Sequence, residues 1–294
     1  MAGSQRLLHR PDTRVSTPLV SARAVRGELR LRAERDATGK TVLADRHAAG
    51  AFHLSKPYWD GHALMVQWIN PTAGIFAGDL LTSEVSVGAG ASLLLTTPSA
   101  TRIHTRADPS NAPGRQMQRF EVANNGFLEV LPEWLIPQAG SAFEQVTTIH
   151  LEEGACLFYA ELMAPGRVAR GEALAFEHLD LRIKLLRQGR LLVQERLSVG
   201  QGTLWKLQDV GGHALFAASL LVVAPEIRRV HQPESFGRLA AEMGCAAGSS
   251  FVDERTLCVR VTSASAMHLR RVCHALRASL VPCLPGLKVV TRKL

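Results

Sequence analysis

Five acidic residues lie in or beside apolar sequence: Asp79, Glu84, Glu129, Glu161 and Glu172. Carboxylate oxygens and water are weak, exchangeable ligands for a divalent cation, so a series of them suits passage, whereas a cage of Cys and His suits retention. Each also reads as a solvated carboxylate or the partner of an arginine. The hydroxyl run Thr96, Thr97, Ser99, Thr101 could hold a nucleophile. No Gly-x-Ser-x-Gly elbow surrounds it, and these hydroxyls are expected to hydrogen-bond locally where a strand ends at Pro98. Eleven histidines form no His-x-x-x-His pair. Cys273-His274 comes nearest to a soft-ligand cluster, but neighbours on a helix point about 100° apart, so a core thiol and a surface histidine are expected. Gly74-x-x-x-Gly78 lacks the Gly-Lys-Ser/Thr ending that puts a lysine on phosphate, which argues against nucleotide hydrolysis by this chain.

The acids are held by short strands. The stretch 70–101 opens with a bend at Pro71, Gly74 and Gly78, then alternates: Leu81, Ser83, Val85 and Val87 share one face, Thr82, Glu84 and Ser86 the other. After a turn at Gly88–Gly90, residues 91–97 are apolar at successive positions, as in a strand covered on both faces. Two later segments repeat the form strand, turn, strand, with turns at Gly126 and Gly154. Their unequal intervals exclude a regular solenoid repeat. Strands are also expected at 29–33, 41–45, 51–54, 63–69, 117–122, 127–131 and 155–163, after a polar loop over 105–116. The clearest hairpin joins Leu179–Leu185 to Leu191–Leu197. Phe236, Leu239, Ala240 and Met243 have helical spacing, with Ser235 as N-cap and Gly244 as stop. A strand through Leu257, Val259 and Val261 precedes a last helix from about Ala264 to Leu280. The stripe of that helix is Leu269, Val272, Cys273, Leu276 and Leu280. The fold class is therefore mainly β, with about two α-helices towards the C-terminus.

The chain of 294 residues is long enough to bury a sizeable core, and aromatics at 5% make that core aliphatic. The longest apolar run, around Ala214–Ala224, is too short to span a bilayer, so no membrane contact is expected. Of the net charge of +8, residues 1–35 carry +5 and residues 255–294 carry +8 without one acid, while the middle is acidic. Basic ends around an acidic body suit an acidic protein partner, with Arg270, Arg271 and Arg277 as candidate contacts. Solvated surface charge is the competing reading. A nucleic-acid module would pair its basic stripe with aromatics for stacking, which are scarce here. Five cysteines without a Cys-x-x-Cys spacing point to a reducing compartment, the cytoplasm. Residues 1–20 are expected to be a disordered extension and 21–294 a single domain.

The ordered blocks Gly-x-x-x-Gly-Asp (74–79), Val-x-x-Gly-Ala (87–91) and Leu-Leu-Thr-Thr-Pro-x-Ala-Thr (94–101) resemble the signature of the urease accessory protein UreD, or UreH, family. Residues 126–132, 161–172 and 189–197 resemble later family blocks in the same order. The resemblance implies a large, irregular β-helix-like stack of strands. It implies a non-enzymatic maturation factor that docks on metal-free urease and bridges it to two partners: a helical, UreF-type accessory protein and a UreG-type P-loop GTPase. No cofactor is then tightly bound, and nickel is an ion in transit. Asp79 and Glu161, each inside a family-like block, become the candidate residues of a nickel route. A hydrolase using the run 96–101 and a basic nucleic-acid-binding module are the alternatives.

Overall fold

The computed structural model describes residues 24–288 apart from 61, 62, 201, 226 and 231. The expected extension over residues 1–20 and the end of the basic tail (289–294) lie outside the described residues. The chain begins with a hairpin, β1 (Arg26–Arg35) and β2 (Thr41–Ala49), followed by β3 (His53–Leu54), β4 (Tyr58–Asp60) and β5 (Ala63–Ile69). In β1, Leu29, Leu31 and Ala33 are buried between exposed charged neighbours, the period-two pattern of a half-covered strand.

Three rungs follow, each a strand, a four-residue turn and a second strand. They are β6 (Leu80–Val87) with β7 (Ser92–Thr96), β9 (Gly114–Val122) with β10 (Phe127–Leu131), and β12 (Ala142–Leu151) with β13 (Cys156–Met163). Short β8 (Thr101–Ile103) and β11 (Leu135–Pro137) fall between them. The first strands of the rungs pair in parallel in one sheet, and the second strands pair in parallel in another. Leu80 sits opposite Arg115 and Ser92 opposite Phe127, so the register set in one sheet carries through the turn into the other. The turns stack as well: Gly90 N–H donates to the Asn124 carbonyl and Asn125 N–H to the Glu153 carbonyl, each at 3.0 Å. Gly90, Asn125 and Gly154 hold the left-handed conformation these turns need. In the middle turn that residue is Asn125, not the expected Gly126.

After β14 (Gly166–Arg167) and β15 (Glu172–Ala173), the hairpin β16 (His178–Arg187) and β17 (Arg190–Gly200) closes through Gln188 and Gly189. Both have positive φ, as a two-residue hairpin turn requires. β18 (Phe216–Val223), β19 (Ala246–Asp253) and β20 (Thr256–Ser263) complete the strands. The first sheet has seven strands in the order β17-β16-β12-β9-β6-β1-β2; the second has eleven, along the path β19-β20-β18-β13-β10-β7-β5-β3. The expected fold class, mainly β with few helices, is the observed one.

The second sheet is the middle layer. Leu93, Leu95, Leu128, Val130, Leu157 and Tyr159 face the first sheet, while the alternating Leu94, Phe127, Leu131, Phe158 and Ala160 face the helices. Two apolar cores on opposite faces explain why these strands are oily at every position. The helix side is covered by α2 (Pro233–Glu242) and α3 (Ala266–Ser279), which follow a four-residue turn of helix, α1 (Ile227–Val230). The stripe Leu269, Val272, Cys273, Leu276 and Leu280 is buried as expected, and Ser265 caps α3 by accepting a bond from His268 N–H at 3.3 Å. Several assignments differ from expectation. α2 starts at Pro233, whose fixed φ suits a first helical turn, so Ser235 lies inside the helix and bonds back to the Gln232 carbonyl. β9 starts three residues early, at Gly114, because it pairs along β6 and β12. β19, a small-residue strand held by its hairpin with β20, carries no apolar alternation that would announce it.

Candidate functional site

The in-facing positions of the rungs are not uniformly apolar. Gln116 and Gln118 in β9, Gln145 and Thr147 in β12, and Tyr159 and Glu161 in β13 occupy the side of their strands that faces the other sheet. They form a hydrogen-bonded seam. Thr147 Oγ1 donates to Gln118 Oε1 at 2.9 Å and lies 3.3 Å from the Tyr159 hydroxyl. Tyr159 OH donates to Glu161 Oε1 at 2.7 Å, and Gln145 Nε2 donates to the same oxygen at 2.6 Å. Buried polar groups persist in an apolar core where they satisfy one another in this way.

Three cavities run along this seam. One of about 210 Å3 is lined by Asn70, Thr72, Gly74, Thr97, Ser99 and Thr101, among others. A narrow central one of about 70 Å3 shares Trp68, Thr97, Thr101 and Gln116 with it and adds Gln118, Glu133, Gln145, Tyr159 and Glu161. The widest, about 420 Å3, shares Glu161, Met163 and Leu181 with the central cavity and is bordered by Glu195, Lys206, Ser219, Arg260 and Thr262. Even the central cavity has room for water. Glu161 keeps some accessible surface although protein surrounds it; that surface faces the two cavities it lines. Burial pushes its carboxyl above the usual range, against the opposing pull of Tyr159, the Arg260 charge and Gln145. Among the described residues its hydrogen-bond donors are both neutral, and no arginine bonds it directly.

The other expected site residues fall elsewhere. Asp79 is buried, but its carboxylate braces the bend: Oδ1 accepts Val25 N–H at 2.7 Å and Oδ2 accepts Phe76 N–H at 2.9 Å. It lines none of the three cavities, so Asp79 and Glu161 are not brought together. Glu84 is exposed, in register between Arg30 and Arg119 on the outer face of the first sheet. Glu172 takes two bonds from Arg167, at 2.8 and 2.6 Å. Glu129 is fully buried on the helix side, held by Arg277 through Nε at 2.5 Å and Nη2 at 2.8 Å.

Arg277 therefore does not present its guanidinium to a partner. It sits at a helix position next to the apolar Leu276, where the surface is buried on the second sheet. Arg270 is half-buried, reaching Glu133 at 2.5 Å and lying over the Trp134 ring, and Arg271 alone of the three is exposed. Thr96 Oγ1 donates to the Leu131 carbonyl at 2.6 Å and Thr97 Oγ1 accepts Glu133 N–H at 2.8 Å, so these two hydroxyls tie the strand end to the next rung instead of bonding locally as expected. Cys273 is buried, its thiol pushed up to about 12, and no cluster of three or more His, Cys, Asp or Glu side chains gathers among the described residues. Sequence reasoning missed Gln118, Gln145, Glu133, Glu195 and Arg260. For the two glutamines a signal existed: a polar residue at an in-facing position of an alternating strand.

These features define a class: a β protein of parallel rungs whose chemically distinctive region is a polar seam between its two large sheets. Comparison with known proteins gives the family. A family model described as UreD urease accessory protein matches residues 25–293. The urease accessory protein UreD of Opitutus terrae is 39% identical over 277 residues, covering 91% of this chain and 98% of that protein. UreD of Lachnoclostridium phytofermentans is 25% identical over 258 residues, 85% of this chain and 92% of its own length. UreH of Helicobacter pylori is 32% identical over 166 residues, 55% and 61% of the two chains. The chain belongs to the UreD urease accessory protein family.

Proposed function

We propose that this chain is a non-catalytic maturation factor that bridges metal-free urease to a helical UreF-type protein and a UreG-type GTPase in the cytoplasm, and that nickel crosses it along the seam. The carrying observation is the series of three cavities with shared walls, with Glu161 common to two of them. Burying a single unpaired charge in an apolar interior costs on the order of tens of kcal/mol, and a bare divalent ion loses more, because ion solvation grows with the square of the charge. Water, the amides of Gln118 and Gln145, the hydroxyls of Thr97 and Thr101, and one carboxylate supply the oxygen ligands that replace it, none of them tight enough to trap nickel. Asp79 contributes by bracing the bend beside the first cavity. No helix among the described residues is long and apolar enough to cross a membrane.

The test is nickel-dependent activation of metal-free urease by the reconstituted complex, with a pull-down to confirm assembly. Glu161→Leu, which fills the junction of two cavities with an apolar side chain, should abolish most activation while the complex still forms. Glu161→Ala should do less harm. Full activation by Glu161→Leu would overturn the route. Loss of assembly with either variant would make Glu161 structural.

A further inference from the structure

Glu161, Ser219 and Arg260 lie in one row across three neighbouring strands: Glu161 is opposite Ser219 between β13 and β18, and Ser219 is opposite Arg260 between β18 and β20. All three line the widest cavity. Two strand spacings place the outer backbones about 10 Å apart, a gap that an arginine side chain largely spans. The residue between them is a serine, too small to stand in the way. Arg260 could therefore cover the Glu161 carboxylate.

It does not. Arg260 turns across to the other sheet and pairs with Glu195 on the edge strand β17. Glu195 occupies an in-facing position between Val193 and Leu197, where alternation would otherwise put an apolar residue. Of the other cations around this cavity, Arg196 is held by Asp180 through two bonds of 2.9 Å, and Lys206 stands at the rim.

We propose that Glu195 is a positioning residue: its carboxylate holds Arg260 off Glu161 and so keeps the one carboxylate shared by two cavities open to a divalent cation. The inference rests on the route reading above. An arginine on Glu161 would neutralise that ligand and place a fixed positive charge across the passage, which a cation would have to displace. The Arg260 charge already acts on Glu161 from where it stands, pulling its carboxyl down against burial. Removing Glu195 leaves Arg260 with Glu161 as the nearest carboxylate along its row.

The experiment uses the reconstituted accessory complex and nickel, reading the rate of urease activation for wild type, Glu195→Gln, Arg260→Gln, the double variant and Glu161→Ala. Glu195→Gln should slow delivery several-fold, and the double variant should recover it, because the stray cation is gone. A purely structural inter-sheet clasp would leave the double variant as impaired as either single one. Wild-type delivery by Glu195→Gln, or an unrescued double variant, overturns the proposal. If Glu195→Gln fails to assemble, Arg260→Gln decides: delivery clearly slower than wild type overturns it. Glu161→Ala separates the two levels. Full delivery there removes the route itself, whereas slow delivery there with an unimpaired Glu195→Gln removes only the role of Glu195.

Discussion

Glu129 and Glu161 stand on adjacent strands of the same sheet, one on each face. Glu129 faces the helices, has no exposure, and is locked by two guanidinium nitrogens of Arg277. Glu161 faces the first sheet, lines two cavities, and is bonded by an amide and a phenol. Burial raises both carboxyls above their ordinary range. What differs is the compensating partner. A full opposite charge with bidentate geometry fixes a carboxylate as part of the architecture. Neutral donors leave it charge to offer, and a sheet with two buried faces can hold one carboxylate of each kind on neighbouring strands.

The largest expected effect comes from breaking the locked pair. Arg277→Leu leaves Glu129 buried and unpaired, a loss of about 3–5 kcal/mol in denaturant unfolding, whereas adding Glu129→Leu should recover most of it. An Arg277→Leu protein of unchanged stability would mean that the pair does not hold α3 down. Asp79 belongs with the locked carboxylates: Asp79→Ala strips two backbone N–H groups of a charged acceptor, at a cost of about 3 kcal/mol. If Asp79→Ala instead unfolds like wild type while nickel delivery falls, Asp79 has a role in transport that its bonding does not suggest.

For the other face the expected pattern is reversed. Glu161→Gln should alter stability little while lowering nickel-dependent activation. The raised carboxyl also has a sign. Because the folded pKa exceeds the unfolded one, ionising Glu161 costs stability as pH rises from the unfolded value through the folded one, and this decline should be absent in Glu161→Gln. A proton competes with nickel for the same oxygen, so wild-type delivery should fall on acidification at a pH above the usual carboxylate range. An identical pH profile in Arg260→Gln would contradict the link, since losing that cation should move the fall to still higher pH. The smallest effect is at the surface. Arg271→Glu should weaken co-purification with the helical partner at low salt only, as a screened charge contact does. Arg271 tests that surface more cleanly than Arg270, whose reversal would also strand Glu133.

Much of this was legible in the residue string. Period-two burial in β1 and β6, the doubly apolar β7, the turns after each first rung strand and the stripe of α3 are local consequences of side-chain chemistry, and each appears where spacing puts it. Glu161 was legible as a carboxylate inside a family-like block and beside apolar sequence. Glu129 had the same local credentials, in a run apolar on both sides. Arg277 was legible only as one more cation of an acid-free tail.

Which carboxylate is locked and which faces a cavity depends on contacts that local sequence does not contain. Alternation says that Glu129 and its neighbours point to opposite faces; it does not say which layer covers each face. The packing of α3 against β10 brings Arg277 to Glu129 across 148 positions of chain. The parallel register of the rungs aligns Gln118, Thr147 and Tyr159 into one seam. The pairing of β13, β18 and β20 sets Arg260 in the row of Glu161, and the other sheet supplies the Glu195 that turns it away. Strand and helix identities follow from short-range steric and hydrophobic preferences, whereas the protonation, pairing and availability of a buried charge follow from the dielectric and the partners around it, which exist only once the layers have packed.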